Sequence, residues 1–468
     1  MRAFVTTVTM AVFGLVAAPV AQAETLADAL AAAYKSSKLL DQNEALLRAQ
    51  DEGVAQAVAA MRPVVEFVAQ RQMTTAESPI LVAGNYTGRA STDTVATTFQ
   101  LAAQMSLYDF GRSKLGIEIA KETVLATREA LKGLEQQILL SAVDAYVNVR
   151  LKQEIVALRQ NNVRVIGQEL QAAKDRFDVG EVTRTDVAIA EASLAAAQSG
   201  LAAATGELNV ARERYKAVTG AYPGDLAALP ALPATAKSLA DAQAIALRTH
   251  PELAQRKREV TVADLGVAAA QANFRPKIAA TAALNTSPDG DEKRVDSATL
   301  GLSFRQTIYS GGAISSAHRQ AVARRDAARA SLAQSAITIS EGVGNAWSNL
   351  EVAGASITAG DLQIQAAQTA FEGVREEATL GARTTLDVLD AEQNLLDARA
   401  TRATAVAQRY VGVYNLLAAM GLLSVEHLKL GVPTYDPAVY YNAVKNAPVT
   451  SAQGKALDRI LGKVGGNN

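Results

Sequence analysis

Two long stretches without proline constrain the fold of this chain most strongly. Residues 80–222 and 289–432 contain no proline, the residue that most effectively interrupts a helix. In the first stretch a helical pattern runs from Gly111 to Phe177, which at the α-helical rise corresponds to roughly 100 Å. The pattern stops at Gly180 and begins again at Thr183. The sequence therefore predicts antiparallel helices much longer than those of an ordinary globular domain.

The chain repeats this organisation once. Leu26-Ala-Asp-Ala29 recurs 213 residues later as Leu239-Ala-Asp-Ala242, whereas Gly180 recurs 201 residues later as Gly381. Two constant offsets indicate a duplication, in which a loop between Pro63 and Tyr108 is 12 residues longer in the first copy than in the second.

The beginning of the chain has the pattern of a secretory signal peptide. Arg2 precedes an apolar run at Val8–Val20, and Ala21-Gln22-Ala23 matches the small-x-small cleavage pattern. No later stretch contains about 18 consecutive apolar residues without a charge, so we expect no transmembrane helix after cleavage. We predict export of the chain; a buried N-terminal helix is the alternative.

These features divide the chain into five predicted segments. They are a signal peptide at 1–23, a first repeat at 24–220, a proline-rich linker at 221–238, a second repeat at 239–421 and a C-terminal segment at 422–468 whose end we expect to be disordered.

Each predicted repeat also contains a pair of strand-like segments with apolar and polar residues in alternation. We predict strands at 64–74, 94–107, 277–285 and 299–308, which form hairpins at 64–107 and 277–308 with turn-rich loops between the strands. Such strands suit a membrane β-barrel, but known barrels start at about eight strands, so several chains would have to contribute. An ordinary sheet with one solvated face is the alternative.

The helix after each predicted turn carries a coiled-coil seam. In the first repeat, the apolar positions alternate spacings of three and four from Val187 to Val218. In the second repeat, a seam that includes Val388 and Leu395 is accompanied by a second stripe that includes Leu389 and Leu417. Two stripes predict neighbours on two sides, as in a closed ring of helices.

The composition argues against several classes of function. The 46 basic and 47 acidic residues give a net charge of -1, which argues against nucleic-acid binding. The absence of cysteine excludes disulfides, thiolate metal sites and a lipid-bearing N-terminal cysteine. The three histidines, His250, His318 and His427, lack the spacing of a metal motif. We therefore expect no enzyme activity, no metal and no cofactor.

The order of these elements resembles the TolC-type outer-membrane efflux proteins. The segment Leu380–Ala391 is similar to the tip motif of that family almost residue for residue, and Phe177–Val187 is its counterpart in the first repeat. The turns Tyr108–Arg112 and Tyr309–Gly312 and the tail Tyr435–Tyr441 extend the resemblance over nearly the whole exported chain.

The resemblance implies a mixed α and β membrane protein that forms a homotrimer. Its long antiparallel coiled-coil barrel would continue a transmembrane β-barrel that receives four strands from each chain. It also implies a passive exit duct in the outer membrane, extending into the periplasm, for efflux or type I secretion. The partners would be outer-membrane lipid, a periplasmic adaptor protein and an inner-membrane pump of RND or ABC type. A drug, a siderophore and an unfolded polypeptide all remain possible cargos.

The resemblance also implies roles for residues at the helical tips. Asp387 and Asp390 would form the narrow periplasmic entrance. Thr384-x-x-Asp387 and Thr183-x-x-Asp186 also resemble capping boxes, so helix capping is an alternative role for Asp186 and Asp387. Gly180 and Gly381 would end helices in exposed turns and dock the adaptor.

A lock at the tip follows from the same resemblance. Arg383 would pair with Thr185 and Asp186 of a neighbouring coil and hold the entrance shut. The family has a tyrosine at the position of Ala378, and Arg184 is a candidate to compensate for its absence. A solvated surface charge is the alternative role for either arginine.

Two pairs of residues have simpler predicted roles. Trp347 and its counterpart Tyr146 are predicted to be packing residues in the long helices. Arg62 and Arg275, which precede prolines, are predicted to mark the change from helix to strand at the membrane edge. A periplasmic coiled-coil adaptor or scaffold is the alternative to the channel as a whole.

Overall fold

The computed structural model describes residues 23–288, 295–447 and Arg459. The predicted signal peptide, apart from Ala23, and most of the chain after Ala447 lie outside the described residues. In chain order, the first half contains α1 Leu26–Ser36, α2 Lys38–Ala59, β1 Val64–Val82, β2 Asn85–Tyr108, α3 Arg112–Asp178 and α4 Arg184–Thr219. The second half contains α5 Leu239–Thr249, α6 Pro251–Ala272, β3 Lys277–Ser287, β4 Val295–Arg305, α7 Ala313–Thr379, α8 Thr385–Ala419 and α9 Pro437–Val444.

The four strands form one antiparallel sheet in the order β1-β2-β3-β4. The central pairing joins the two halves of the chain, since β2 lies beside β3 with Leu101 opposite Leu284. β1 and β4 are the edge strands, and each has one side without a partner strand in the described sheet. A sheet with two open edges is incomplete as a membrane-spanning structure, because unpaired backbone groups are not tolerated in hydrocarbon.

The strands of the first hairpin are longer than predicted, 19 residues in β1 and 24 in β2. The turn-rich loop expected around Glu77-Ser-Pro79 is instead continuous strand, and the chain turns only at Ala83 and Gly84. Pro79 can occur in β1 because an edge strand leaves backbone N–H groups unpaired on one side. In the second hairpin, β4 ends at Arg305 rather than at the predicted residue 308.

The predicted long helices are present as α3 and α7, each 67 residues long. Both begin after a glycine with a left-handed backbone, Gly111 and Gly312. α3 packs along α4 and α7 along α8, and α8 also contacts α3. The seam from Val187 to Val218 is buried or half-buried throughout, and both predicted stripes of α8 are covered. The prediction of neighbours on two sides of α8 is confirmed.

One helix matches a membrane-spanning segment in length and composition alone. Among the described residues, α4 is long and apolar enough to cross a membrane, although no stretch of the sequence after residue 23 has about 18 consecutive apolar residues without a charge. Its apolar character comes largely from alanine, which a criterion of consecutive apolar residues underestimates when a few polar residues are interspersed. In the fold, α4 is one half of a coiled-coil hairpin with α3.

The main core lies midway along the long helices, where α1, α5 and the linker pack against them. Tyr146 is fully buried there, and its hydroxyl lies 3.0 Å from the carbonyl oxygen of Glu24 and 2.8 Å from that of Ala227. Trp347 packs at the edge of this core and donates a hydrogen bond from Nε1 to Glu351. The packing roles predicted for Tyr146 and Trp347 are confirmed.

Arg62 and Arg275 lie between a helix and a strand, as predicted. Arg62 has a further partner that the sequence did not indicate, because its guanidinium donates to the carbonyls of Asn446 and Ala447. The C-terminal segment is thereby attached to the start of β1. The carbonyl of Arg275 accepts a hydrogen bond from Arg112, at the start of α3.

Candidate functional site

The two tip turns have the same backbone conformation. Gly180 and Gly381 have φ values of 80° and 77°. The N–H of Glu181 donates to the carbonyl of Arg176, and that of Ala382 to the carbonyl of Glu377, both at 2.9 Å. Each hydrogen bond closes a turn of six residues. Such a turn is a Schellman motif, in which glycine supplies the left-handed residue that ends a helix. Both glycines are exposed, so the turns are accessible from outside the chain.

Both predicted capping boxes are formed. Oδ2 of Asp387 accepts hydrogen bonds from the N–H of Thr384 at 2.9 Å and from its hydroxyl at 2.8 Å. Asp186 makes the same contacts with Thr183, at 2.9 Å and 2.7 Å. In each box the hydrogen bonds donated by the threonine hold the pKa of the aspartate below its usual value. Helix capping therefore accounts for one role of Asp186 and Asp387.

Asp390 has no such local role. It lies three residues after Asp387 on α8 and is exposed, whereas Val388 and Leu389 between them are buried. Asp390 thus faces away from α3 and α7. Among the described residues, no side chain forms a hydrogen bond or ion pair with it, so its carboxylate is available to a neighbouring chain or to ions.

The arginines of the predicted lock lie at the tips but do not contact the predicted partners within one chain. Nε of Arg383 donates to Oε2 of Glu377 at 2.9 Å, within its own hairpin. Both side chains are about half exposed, so this ion pair contributes little to stability. The structure of the single chain does not bring Arg383 to Thr185 or Asp186. Arg184 is exposed and, within the described part of the chain, has no ion-pair partner.

The position that carries the family tyrosine is occupied by a buried alanine. Ala378 belongs to a small apolar cluster with Phe371, Val388 and Leu395. Its carbonyl accepts a hydrogen bond from Arg176 at 3.3 Å. This bond joins α3 to the end of α7 without any side chain at position 378 beyond the methyl group.

Sequence reasoning missed a row of polar residues on α3 that binds the second hairpin. Asn162, Glu169 and Arg176 are seven residues apart and therefore lie on one side of the helix. The contacts are Asn162 Nδ2 to Glu392 Oε1 at 3.3 Å, Arg375 Nε to Glu169 Oε1 at 3.0 Å, and Arg176 to the Ala378 carbonyl. The heptad spacing of polar residues was the signal that could have revealed this row.

The Asn162 contact is the most deeply buried of the three. Asn162 is 1% exposed and Glu392 4% exposed. Burial raises the pKa of Glu392, an effect that the hydrogen bond from Asn162 and the charges of Arg399 and Arg164 oppose. A buried polar pair between two helices fixes their register, because any shift would leave both groups without partners.

Within the described ranges, no group of three or more His, Asp or Glu side chains is placed to hold a metal ion. The tips instead combine exposed carboxylates, exposed turns and polar contacts between two hairpins.

Comparison with known sequences gives a consistent result. The model of a family described as "Outer membrane efflux protein" matches residues 17–221 and 244–422. The outer membrane efflux protein BepC of Brucella suis is 35% identical over 434 residues, 91% of each chain. The outer membrane protein TolC of Escherichia coli is 26% identical over 78% of this chain and 77% of that protein. The alkaline protease secretion protein AprF of Pseudomonas aeruginosa is 26% identical over 64% of each chain.

Solved structures share the fold. The CmeC outer membrane channel of Campylobacter jejuni superimposes with a TM-score of 0.73 at 16% identity, covering 91% of this chain and 90% of that one. The outer-membrane channel OprN gives a TM-score of 0.72 at 22% identity, covering 85% of this chain and 89% of that one.

Proposed function

Because the chain belongs to the outer membrane efflux protein family, we propose that three copies of it form one channel, gated at the helical tips. The protein is an outer-membrane channel for efflux or secretion that extends into the periplasm. The alternative of a periplasmic adaptor or scaffold is therefore wrong. The family consists of channels, and we infer that this member transports its cargo without a catalytic step.

The trimer is supported by the sheet. One face of the sheet carries exposed apolar side chains, including Leu300 at 87% and Leu302 at 72% exposure, which nothing in the described chain covers. Within the described sheet, the outer sides of β1 and β4 have no partner strand. Lipid would cover the apolar face, and pairing of β1 with β4 of the next copy would close a barrel of twelve strands.

The tunnel follows from the helices. α3 and α7, with 67 residues each, extend for roughly 100 Å from the strands to the tips. The two repeats proposed at 24–220 and 239–421 would give each chain two equivalent sectors of the wall.

The gate is proposed at Asp387 and Asp390. Three chains would place six carboxylates around one axis, and Asp390 is exposed with no local partner to explain it. Arg383 would exchange its weak bond to Glu377 for Thr185 and Asp186 of a neighbouring coil, with Arg184 as a second cation. The polar row of Asn162, Glu169 and Arg176 would hold the two hairpins in their closed register and replace the tyrosine missing at Ala378.

The partners are proposed from the relatives. TolC and AprF are named as an outer membrane protein and a secretion protein, and BepC as an efflux protein. We infer that this chain likewise works with an inner-membrane pump, of RND or ABC type, and with a periplasmic adaptor. The exposed turns at Gly180 and Gly381 are the proposed docking points of the adaptor.

Single-channel recording in planar bilayers tests the gate. The wild-type channel should be cation-selective and sensitive to divalent ions, and the double variant Asp387→Ala/Asp390→Ala should lose both properties. Asp397→Ala, an exposed aspartate on the same helix, serves as the matched control. Unchanged selectivity in the double variant would remove the gate assignment, and a monomer that folds without detergent would remove the channel.

A further inference from the structure

The first β-hairpin extends far beyond the sheet. β2 lies beside β3 only from Phe99 to Tyr108, and the rest of β2 pairs with β1 alone. The segment Gln70–Thr98, which we call the outer ribbon, is thus a two-stranded hairpin that pairs with no third strand of the described sheet. Its strands extend about 40 Å past the last β2–β3 pair at the usual rise per residue. Near its base, the hydroxyl of Ser287 donates a hydrogen bond to the carbonyl of Thr97 at 3.1 Å.

Polar residues follow the apolar residues of the sheet along the outer ribbon. On the apolar face of the sheet, Arg71 opposite Thr97 interrupts the apolar residues once, and the last apolar pair is Met73 and Val95. The next residues on this face are Thr75, which donates a hydrogen bond to Asp93 at 2.7 Å, and Glu77, which forms an ion pair with Arg89 at 3.3 Å. Charges at this level exclude the ribbon from hydrocarbon, so the part beyond them lies outside the membrane core.

The end of the outer ribbon is nevertheless apolar. Ile80, Leu81 and Tyr86 surround the turn at Ala83 and Gly84, and Leu81 and Tyr86 are 63% and 61% exposed. Six residues separate Thr75 from Leu81, a distance of roughly 20 Å along the strand. An apolar tip raised this far above the membrane is exposed to water, and an isolated two-stranded ribbon is only marginally stable there.

The apolar ends of the outer ribbons of other copies can cover these exposed side chains. Twelve tilted strands about 4.8 Å apart give a barrel radius of roughly 12 Å. The ribbon beyond Thr75 is roughly 20 Å long, which is enough to span the distance from the barrel wall to its axis. The ribbon also continues the β1 edge through which the proposed trimer closes, so the three tips surround one axis.

We propose that the tips of the three outer ribbons meet on the channel axis and form an apolar lid over the extracellular mouth. The inference rests on the proposed trimer. The lid residues are Ile80, Leu81 and Tyr86. Cargo passes by displacing the ribbons, which in the described sheet pair with neither β3 nor β4 beyond Phe99.

Cysteine cross-linking tests the lid directly, because the chain has no cysteine of its own. In the detergent-purified full-length trimer, Leu81→Cys is expected to form disulfide-linked dimers on mild oxidation, leaving the third chain of each trimer unlinked. Ser91→Cys, which lies opposite Glu77 in the ribbon, is the control. The three outward-facing residues would lie too far apart for a disulfide and should give no dimers.

The outcomes separate the lid from the trimer. The mass of each variant is measured by light scattering in the same sample, and a monomer would contradict the proposed function itself. A trimer in which Leu81→Cys cross-links no better than Ser91→Cys would overturn the lid alone. If, in addition, the Leu81→Cys thiol reacts with a water-soluble maleimide only after lipid vesicles are dissolved, lipid rather than a second copy covers the tip.

A conductance measurement gives an independent readout. The variant Leu81→Ser/Tyr86→Ser is expected to increase single-channel conductance, because polar tips no longer exclude water from the mouth. Thr87→Ser, a conservative change beside the turn, should leave it unchanged. Equal conductance of the double variant and the wild type would contradict an apolar lid.

Discussion

Asn162 of α3 and Glu392 of α8 form a buried hydrogen bond between the two helical hairpins, with Nδ2 3.3 Å from Oε1. The contact lies close to the aspartates proposed for the gate, because Glu392 follows Asp390 by two residues, about half a turn, on the same helix. The pair therefore connects the register of the hairpins to the position of the entrance.

Asn162→Ala should destabilise the protein and loosen the closed state. Removal of the amide leaves the Glu392 carboxyl buried without that partner, which should lower the free energy of unfolding by about 1–3 kcal/mol per chain. Thermal unfolding in detergent and single-channel open probability measure the two effects. Gln168→Ala, an exposed change on the same helix, should alter neither. Equal stability of both variants would show that the buried bond does not hold the register.

The ion pair between Glu169 and Arg375 should depend on charge rather than on residue identity. Glu169→Arg should raise the open probability, and the exchange Glu169→Arg/Arg375→Glu should restore it, because the contact joins α3 to α7. Lys174 and Glu191 form a matched pair within the first hairpin at 3.0 Å. Reversing that pair should leave gating unchanged, and an equal response of both pairs would argue against a lock between hairpins.

Capping and gating can be separated at the second tip. Thr384→Ala removes the N-cap but keeps both aspartates, so it should lower stability by about 1 kcal/mol and preserve cation selectivity. Asp390→Asn should leave the stability unchanged and reduce cation selectivity, since Asp390 is exposed and has no partner in the described residues. Unfolding curves and reversal potentials in a salt gradient distinguish the two. A loss of selectivity in Thr384→Ala would mean that helix position alone sets it.

Asp51 should give the protein a stability that rises as the pH falls. Asp51 is fully buried beside Leu47 and Val54, and neither carboxylate oxygen has a hydrogen-bond partner in the described residues. Burial raises its pKa to about 6, although the charge of Arg128 opposes the shift. Because the folded state binds the proton more tightly than the unfolded one, protonation below pH 6 stabilises the fold.

The test compares Asp51→Asn with the wild type across pH. The wild type should gain roughly 2–3 kcal/mol relative to the variant as the pH falls from 7 to 4, since each pKa unit corresponds to about 1.4 kcal/mol. At pH 7 the variant should be the more stable protein. Asp41→Asn, which replaces an exposed aspartate on the same helix, is the control. A stability difference between wild type and Asp51→Asn that stays constant from pH 7 to 4 would show that Asp51 does not titrate in this range.

The long helices were predictable because particular residue types determine where they begin and end. Proline is absent from both windows, and glycines at 111, 180, 312 and 381 supply the left-handed residues at the ends. The strands were harder to predict. Pro79 and Gly84-Asn85 are both typical of a loop. In the structure, Pro79 lies in the edge strand β1, and only Gly84 and Asn85 lie at the turn between the strands.

The tip illustrates a different limit of sequence reasoning. Capping by Asp186 and Asp387 follows from a spacing of three residues and was predicted. The row of Asn162, Glu169 and Arg176 was not predicted, because a coiled-coil seam is identified by its apolar residues, whereas this contact is polar. The partner of Arg383 depends on a neighbouring coil, which one chain does not contain, so its proposed bond to Thr185 and Asp186 remains a prediction.

The open edges of the sheet have a genetic consequence. In the proposed trimer each subunit supplies only part of the barrel, so one defective subunit inactivates the whole channel that it joins. With equal synthesis of wild-type and assembly-competent but blocked chains, only about one eighth of randomly formed trimers contain three normal copies. Alleles that damage the entrance should therefore be dominant over the wild-type gene, whereas alleles that prevent strand pairing should be recessive.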